Sequence, residues 1–265
     1  MVFLQPIKVR NIPYVLLERL QPIKTITFPR QGYTSNVGIV ESSEGRFALK
    51  CSREKLYRTW LKREANVLES LQNKTNFLIP KLIQFTETTD ASWILMECLE
   101  GETLRSALLN EENENKRQEL IYEFGKVLAQ IHATPCPNNL TYSRPWLDEM
   151  LHRAHDNFTH YKVDGTEQTL KRIQSERPEP HKQTFIHGDF TIDNVLVSKG
   201  RVTGVIDWSD GAFGDPRYDM AIAIRPKPNA FELAKDKQIF FEGYGTEIIS
   251  EVDYEYFENG LYAFF

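Results

Sequence analysis

At 265 residues, with 41% hydrophobic and 26% charged residues, the chain has the balance of a globular protein able to bury a sizeable core. Its net charge of −5 argues against nucleic acid as an obligate partner, and no apolar run approaches the roughly 18 residues of a membrane span. Cys51, Cys98 and Cys136 are scattered and odd in number, which excludes a disulfide framework and a cysteine-based zinc site. With no signal-peptide core in Met1 to Arg10, a cytoplasmic protein in a reducing compartment is expected.

Gln31-Gly32-Tyr33-Thr34-Ser35-Asn36 carries one glycine and two hydroxyls, which suits either a phosphate-covering turn with Ser35 as a contact or an ordinary β-turn. Val37 to Val40 and Phe47 to Lys50 flank the polar turn Ser42-Ser43-Glu44-Gly45, a hairpin signal. From Glu54 to Gln72, apolar Tyr57, Trp60, Leu61, Val67, Leu68 and Leu71 have the spacing of an amphipathic helix. Glu64 lies on that apolar stripe, where a carboxylate is costly without a charged partner; Lys50 on the second hairpin strand is the candidate. Pro80 to Phe85 and Trp93 to Cys98 read as two more strands, so the first hundred residues read as strands around one helix.

Beyond Gly101 the pattern turns helical, first over Leu104 to Leu109 and then through Leu120, Ile121, Phe124, Val127, Leu128 and Ile131. An α+β protein is expected, with a small β-rich lobe over residues 1–99 and a larger, mainly helical lobe over 100–265. Gly125-Lys126 is not part of a Walker loop, because Leu120 stands where the upstream glycine belongs and Val127 follows the lysine. His152, His155 and His160 include an i, i+3 pair, but no acidic second shell accompanies them, and a solvated helix is the default.

After the break at Arg177-Pro178-Glu179-Pro180 comes His187-Gly188-Asp189-Phe190-Thr191-Ile192-Asp193-Asn194, anchored by Phe185-Ile186 before it and Val195-Leu196-Val197 after it. A second hairpin, turning at Ser198-Lys199-Gly200-Arg201, leads to Val205-Ile206-Asp207-Trp208. Turn formation accounts for each Asp or Asn singly, but not for the ordered set. Phosphoryl transfer from a magnesium-nucleotide needs a base for the attacking hydroxyl and oxygen ligands for the metal. Asp189 is the candidate base, Asn194 and Asp207 the candidate metal ligands, and Lys50 with Glu64 the candidate phosphate grip. No Lys or Arg follows Lys237, whereas Glu242, Glu247, Glu251, Asp253, Glu255 and Glu258 do; they form either a solvated acidic face or a wall for a cationic substrate.

The His-Gly-Asp-x-x-x-x-Asn loop at 187–194, Ile-Asp-Trp at 206–208 and Gly-Asp-Pro-x-x-Asp-Met-Ala at 214–221 resemble the aminoglycoside phosphotransferase and choline kinase superfamily. The resemblance covers essentially the whole chain and implies a bilobal, protein-kinase-like fold. It implies Asp189 as catalytic base, Asn194 and Asp207 on magnesium, and Lys50 with Glu64 on the phosphates of ATP or GTP. Met96 would lead into a hinge where backbone groups of Glu97 and Leu99 meet the nucleotide base, and Asp219 would brace the catalytic loop. The length and the acidic, aromatic ending are closest to the aminoglycoside enzymes, which implies an antibiotic-resistance kinase acting on a small, cationic molecule. Here Tyr262 and Ala263 stand where those enzymes carry acidic residues, and Asp210 stands near where some carry a basic one. A housekeeping kinase for an amino alcohol, homoserine-like, macrolide or sugar acceptor is the alternative, followed by a nucleotide-binding module without catalysis. No nucleic acid or membrane partner is expected, and the chain is compatible with a monomer or a dimer.

Overall fold

The computed structural model describes residues 6–29, 31–32 and 34–265. Its first half-shell is built on a helix α1 (Tyr14–Leu20) and strands β1 (Ile23–Thr27), β2 (Asn36–Ser42) and β3 (Arg46–Ser52). Helix α2 (Lys55–Leu71) follows, then β4 (Leu82–Glu87) and β5 (Ser92–Glu97). The five strands form one antiparallel sheet in the order β1-β2-β3-β5-β4. In the β2–β3 turn the Ser42 amide donates to the Gly45 carbonyl at 3.0 Å, and Gly45 takes a φ of +139°, which only glycine adopts readily.

Alternation along the strands decides which side each residue serves. Leu49, Cys51, Trp93 and Leu95 join Ile7, Ile12, Leu16 and Leu20 in a small core on one face. Ile94 and Met96 face the other way, against Leu61, Ala65 and Leu68 of α2. Lys50 sits between Leu49 and Cys51 in sequence, so the pleat turns it towards α2 and towards Glu64. The sequence reading has one helix in this part; the structure has two. Helix α1 is only seven residues long and begins after Pro13, too short for a periodic apolar signal.

The rest is mainly helical. A short β6 (Glu102–Thr103) precedes α3 (Leu104–Asn110), α4 (Glu114–Ala133), α5 (Trp146–His160) and α6 (Glu167–Ser175). Then come β7 (Thr184–Ile186), β8 (Val195–Ser198), β9 (Arg201–Val205) and β10 (Ala212–Gly214). Helices α7 (Pro216–Ala223), α8 (Ala234–Tyr244) and α9 (Glu251–Phe257) close the chain with a final 3-10 turn, Leu261–Phe264. Strands β6, β8 and β9 form one small sheet and β7 pairs with β10. Side chains cap these helices where the sequence offers them: Thr103 for α3, Asn113 for α4, Asp215 for α7 and a Ser250–Asp253 capping box for α9. Helices α4 and α8 pack at close range, since a Cβ on Gly125 would lie 2.1 Å from the Phe240 carbonyl oxygen.

A large apolar core runs from α2 and the inner sheet face into the helices, taking in Phe124, Phe185, Phe190, Trp208, Tyr218, Phe257 and Phe264. The result is the α+β, bilobal arrangement expected from the sequence, with the two small C-terminal sheets carrying loops towards the five-stranded one. No helix among the described residues is long and apolar enough to cross a membrane.

Candidate active site

Asp189 follows β7 through His187 and Gly188, and this turn is held from below. Asp219, in the first turn of α7 and fully buried, accepts from the His187 amide at 2.6 Å and the Gly188 amide at 2.7 Å. Gly188 has a φ of +84°, and a Cβ there would lie 2.6 Å from Asp210, so a side chain is excluded on two grounds. His187 accepts from the Asp189 amide through Nδ1 at 3.1 Å, which leaves Nε2 as donor to the Ile206 carbonyl at 3.0 Å. Burial pushes the His187 pKa down, so the neutral ring is the form that braces both loops. Phe190, next to Asp189, is locked by stacking on Phe124 at 4.6 Å between centroids.

Both oxygens of the Asp189 carboxylate are occupied. Asn194 Nδ2 donates to Oδ2 at 2.8 Å and to the Asp189 carbonyl at 2.8 Å, while the Tyr262 hydroxyl donates to Oδ1 at 2.9 Å. The Asp189 pKa is pushed up to about 7, by burial first and then by the charge of Asp207; Asp210 adds to this, and the bonds from Tyr262 and Asn194 oppose it.

Asp207 comes from the end of β9, and its loop is tied to the first by the Ile206 amide donating to the Asn194 carbonyl at 2.9 Å. It has a φ of +67°, a left-handed backbone uncommon outside glycine and asparagine, which turns the chain sharply at the site. Its side chain is 45% exposed, so its oxygens stay open to a ligand. Trp208 anchors the turn from behind, stacked on Phe185 at 5.9 Å and donating to the Val205 carbonyl at 2.9 Å.

Across from these loops, Lys50 Nζ lies 2.7 and 2.9 Å from the two oxygens of Glu64 and 3.4 Å from Asp207 Oδ1. Burial favours the neutral amine, but the carboxylates of Asp207 and Glu64 outweigh it and hold the Lys50 pKa above its usual value. The buried Glu64 thus has the partner that its place on the helix demands. The structure brings Lys50, Glu64 and Asp207 into one cluster, and Asp189 and Asn194 into a second joined to it through the Ile206–Asn194 bond.

The remaining site candidates stand apart from these contacts. Met96 is buried on β5 opposite Ala48, and Glu97 ends that strand with its amide donated to the Lys81 carbonyl at 3.0 Å. Leu99 follows, and its amide has no hydrogen-bond partner among the described residues. Ser35 is buried just before β2, in a segment held by the Gln31 carboxamide, which bridges the Val37 amide and carbonyl at 2.7 and 3.0 Å. Among the described residues no hydrogen bond joins Ser35 to Lys50, Glu64 or Asp207, and Tyr33 of the same turn lies outside the described residues. His152 pairs with Asp156, His160 bonds the Asp156 carbonyl and lies against the Tyr161 ring, and the described residues hold no cluster of three metal-binding side chains.

Several groups at the site were not singled out by sequence as partners of the base. Arg153 donates to Asp210 at 2.8 Å and, with Arg63, holds that carboxyl below its usual pKa although burial works the other way. Arg225 lies 4.8 Å above the Tyr262 ring and 3.4 Å from Glu258, so that acidic side chain is already neutralised within the protein. No local pattern marks Arg153, a single arginine within α5, or Arg225, which lies just past the end of α7, and only the fold aims them here.

A kinase-like fold with a half-buried, hydrogen-bonded aspartate beside a lysine–carboxylate cluster defines a phosphotransferase. Residues 25–249 match the phosphotransferase enzyme family, and the chain belongs to it. An aminoglycoside 3'-phosphotransferase from Niallia circulans is 26% identical over 260 residues, covering 94% of this chain and 95% of that protein. Among solved structures, an aminoglycoside-3'-phosphotransferase of type VIII superposes with a TM-score of 0.79 at 19% identity, covering 95% and 97% of the two chains. A second, a thermostable aminoglycoside phosphotransferase solved with ADP and hygromycin B, gives a TM-score of 0.65 at 18% identity, covering 87% and 82%.

Proposed function

We propose that this protein transfers the γ-phosphoryl group of ATP, as its magnesium complex, to a hydroxyl of a small molecule of the aminoglycoside type, and so confers resistance to it. The observation that carries the reading is the Asp189 carboxylate, held by Asn194 and already receiving a hydroxyl hydrogen bond at 2.9 Å. In the reaction the acceptor O–H gives its proton to Asp189, its oxygen bonds to the γ-phosphorus, and the bond to the β-phosphate oxygen breaks to release ADP. Lys50, fixed by Glu64, would grip the phosphates.

The donor set fits a hard divalent cation. Asp207 offers an exposed carboxylate, and Asn194, whose Nδ2 is used on Asp189, keeps its carboxamide oxygen as an acceptor. When bound, magnesium supplies charge neutralisation of the phosphates. The unpaired Leu99 amide and the strand end at Glu97 support a hinge that receives the nucleotide base, with one lobe over residues 1–99 and the other over 100–265. One solved structure of similar fold holds ADP and another holds GDP, so either ATP or GTP suits the donor site.

A second reading is a metabolite kinase whose acceptor carries few positive charges. It is favoured by Glu258 being paired to Arg225 and by Tyr262 standing at the base, which leave less negative charge for a polyamine. Phosphate transfer assayed across aminoglycosides, macrolides, amino alcohols and sugars separates the two. Asp189→Asn is expected to lower kcat by about 10²–10⁴-fold with nucleotide affinity retained. Undiminished turnover in that variant would sink the role of Asp189.

A further inference from the structure

The contact between Tyr262 and Asp189 is made by the same two groups that the reaction needs: a hydroxyl donating to the base. Asp189 Oδ2 accepts from Asn194 and Oδ1 from Tyr262, so an incoming hydroxyl competes with Tyr262 at Oδ1. The backbone carrying Tyr262 is fixed. Leu261 and Phe264 on either side are fully buried, the Gly165 amide donates to the Ala263 carbonyl at 2.8 Å, and Asn157 donates to the Phe264 carbonyl at 2.9 Å. The ring lies 4.8 Å under the Arg225 guanidinium and 6.3 Å from the Tyr218 ring, and its hydroxyl can be withdrawn by rotation about its own side-chain bonds without moving that backbone.

We propose that Tyr262 is a positioning residue that guards Asp189, occupying the acceptor-hydroxyl place so that the base does not direct water onto the nucleotide until an acceptor displaces it. This rests on the phosphotransferase reading above. The physical basis is competition for one carboxylate oxygen. Exchanging one O–H donor for another is nearly neutral in hydrogen-bond energy. A tethered hydroxyl gives up no translational freedom when it binds, so it outcompetes free water. An acceptor brings contacts from the rest of its molecule and outcompetes the tyrosine. Without the guard, water would give a proton to Asp189, bond to the γ-phosphorus and release ADP and phosphate.

The test needs no knowledge of the acceptor. Release of phosphate from magnesium-ATP is measured without acceptor for the wild type and Tyr262→Phe, which keeps the ring under Arg225. Hydrolysis is expected to rise about three- to tenfold, the factor that one net hydrogen bond is worth. Unchanged or slower hydrolysis in a variant that still binds magnesium-ATP overturns the guard and leaves the phosphotransferase reading standing. A phosphate on Tyr262 in the intact mass of the wild type also overturns it, since the hydroxyl would then be an acceptor. Failure of the wild type to bind magnesium-ATP overturns both.

Discussion

In the proposed role Asp189 has to be an anion, yet it is partly desolvated beside Asp207 and Asp210, and its pKa of about 7 follows from that conflict. Two outcomes are expected. As pH falls through about 7 the base takes up a proton, so kcat/KM should drop along an acid limb set by this group. Its folded pKa stands above the unfolded value of 3.8, so its contribution to stability is full below that value and is lost as pH rises through about 7. Asp189→Asn should therefore raise the melting temperature at pH about 8.5 more than at pH about 5, read by scanning calorimetry. An equal effect at both values would show that burial of the charge is not what shifts the group. At this scale the sequence was legible where chemistry and spacing are local. Asp189, Asn194 and Asp207 stand in a short ordered stretch, and Glu64 betrays itself as a carboxylate on an apolar stripe. Arg153, Arg225 and the Tyr262 contact were not legible, because nothing near them in the chain records which distant group they meet.

Among the elements, α7 acts on the catalytic turn through one side chain. Asp219→Ala would leave the buried His187 and Gly188 amides without their acceptor, at about 1–3 kcal/mol for each donor. A loss of that order in urea unfolding is expected, together with weaker turnover; a variant as stable as the wild type would mean that water replaces the carboxylate. The longer periodic elements follow from the sequence closely: α2 spans Lys55–Leu71 against Glu54 to Gln72 expected, and the two hairpins fall at their Gly-containing turns. Helix α1 and strand β1 went unread because a seven-residue helix and a five-residue strand of half-exposed pattern hold too few periods to rise above chance.

At the scale of the molecule, the 3.4 Å approach of Lys50 to Asp207 joins the five-stranded sheet to the helical lobe at the point where nucleotide would bind. Saturating magnesium-ATP at about 100 times its Kd should stabilise the protein by about 2.7 kcal/mol, a rise in melting temperature of about 5–10 °C for a chain of this size. Asp207→Asn should cut the magnesium-ATP shift to that seen with ATP and a chelator. The substitution is well suited to the test, because asparagine accepts the φ of +67° and the side chain is half exposed. A full shift in that variant would remove Asp207 from the metal site.

The sequence by itself determined the α+β class, the order of Lys50, Asp189, Asn194 and Asp207 along the chain, and the pairing that Glu64 requires. These rest on residue type and short-range period, which a chain carries in one dimension. Only the tertiary structure decided what surrounds Asp189: the guanidinium that neutralises Glu258, and the Tyr262 hydroxyl on Asp189 from 73 residues away. Those contacts depend on how buried Phe264 and Leu261 seat the last turn against α5 and α9, and packing of that kind leaves no periodic trace in the chain.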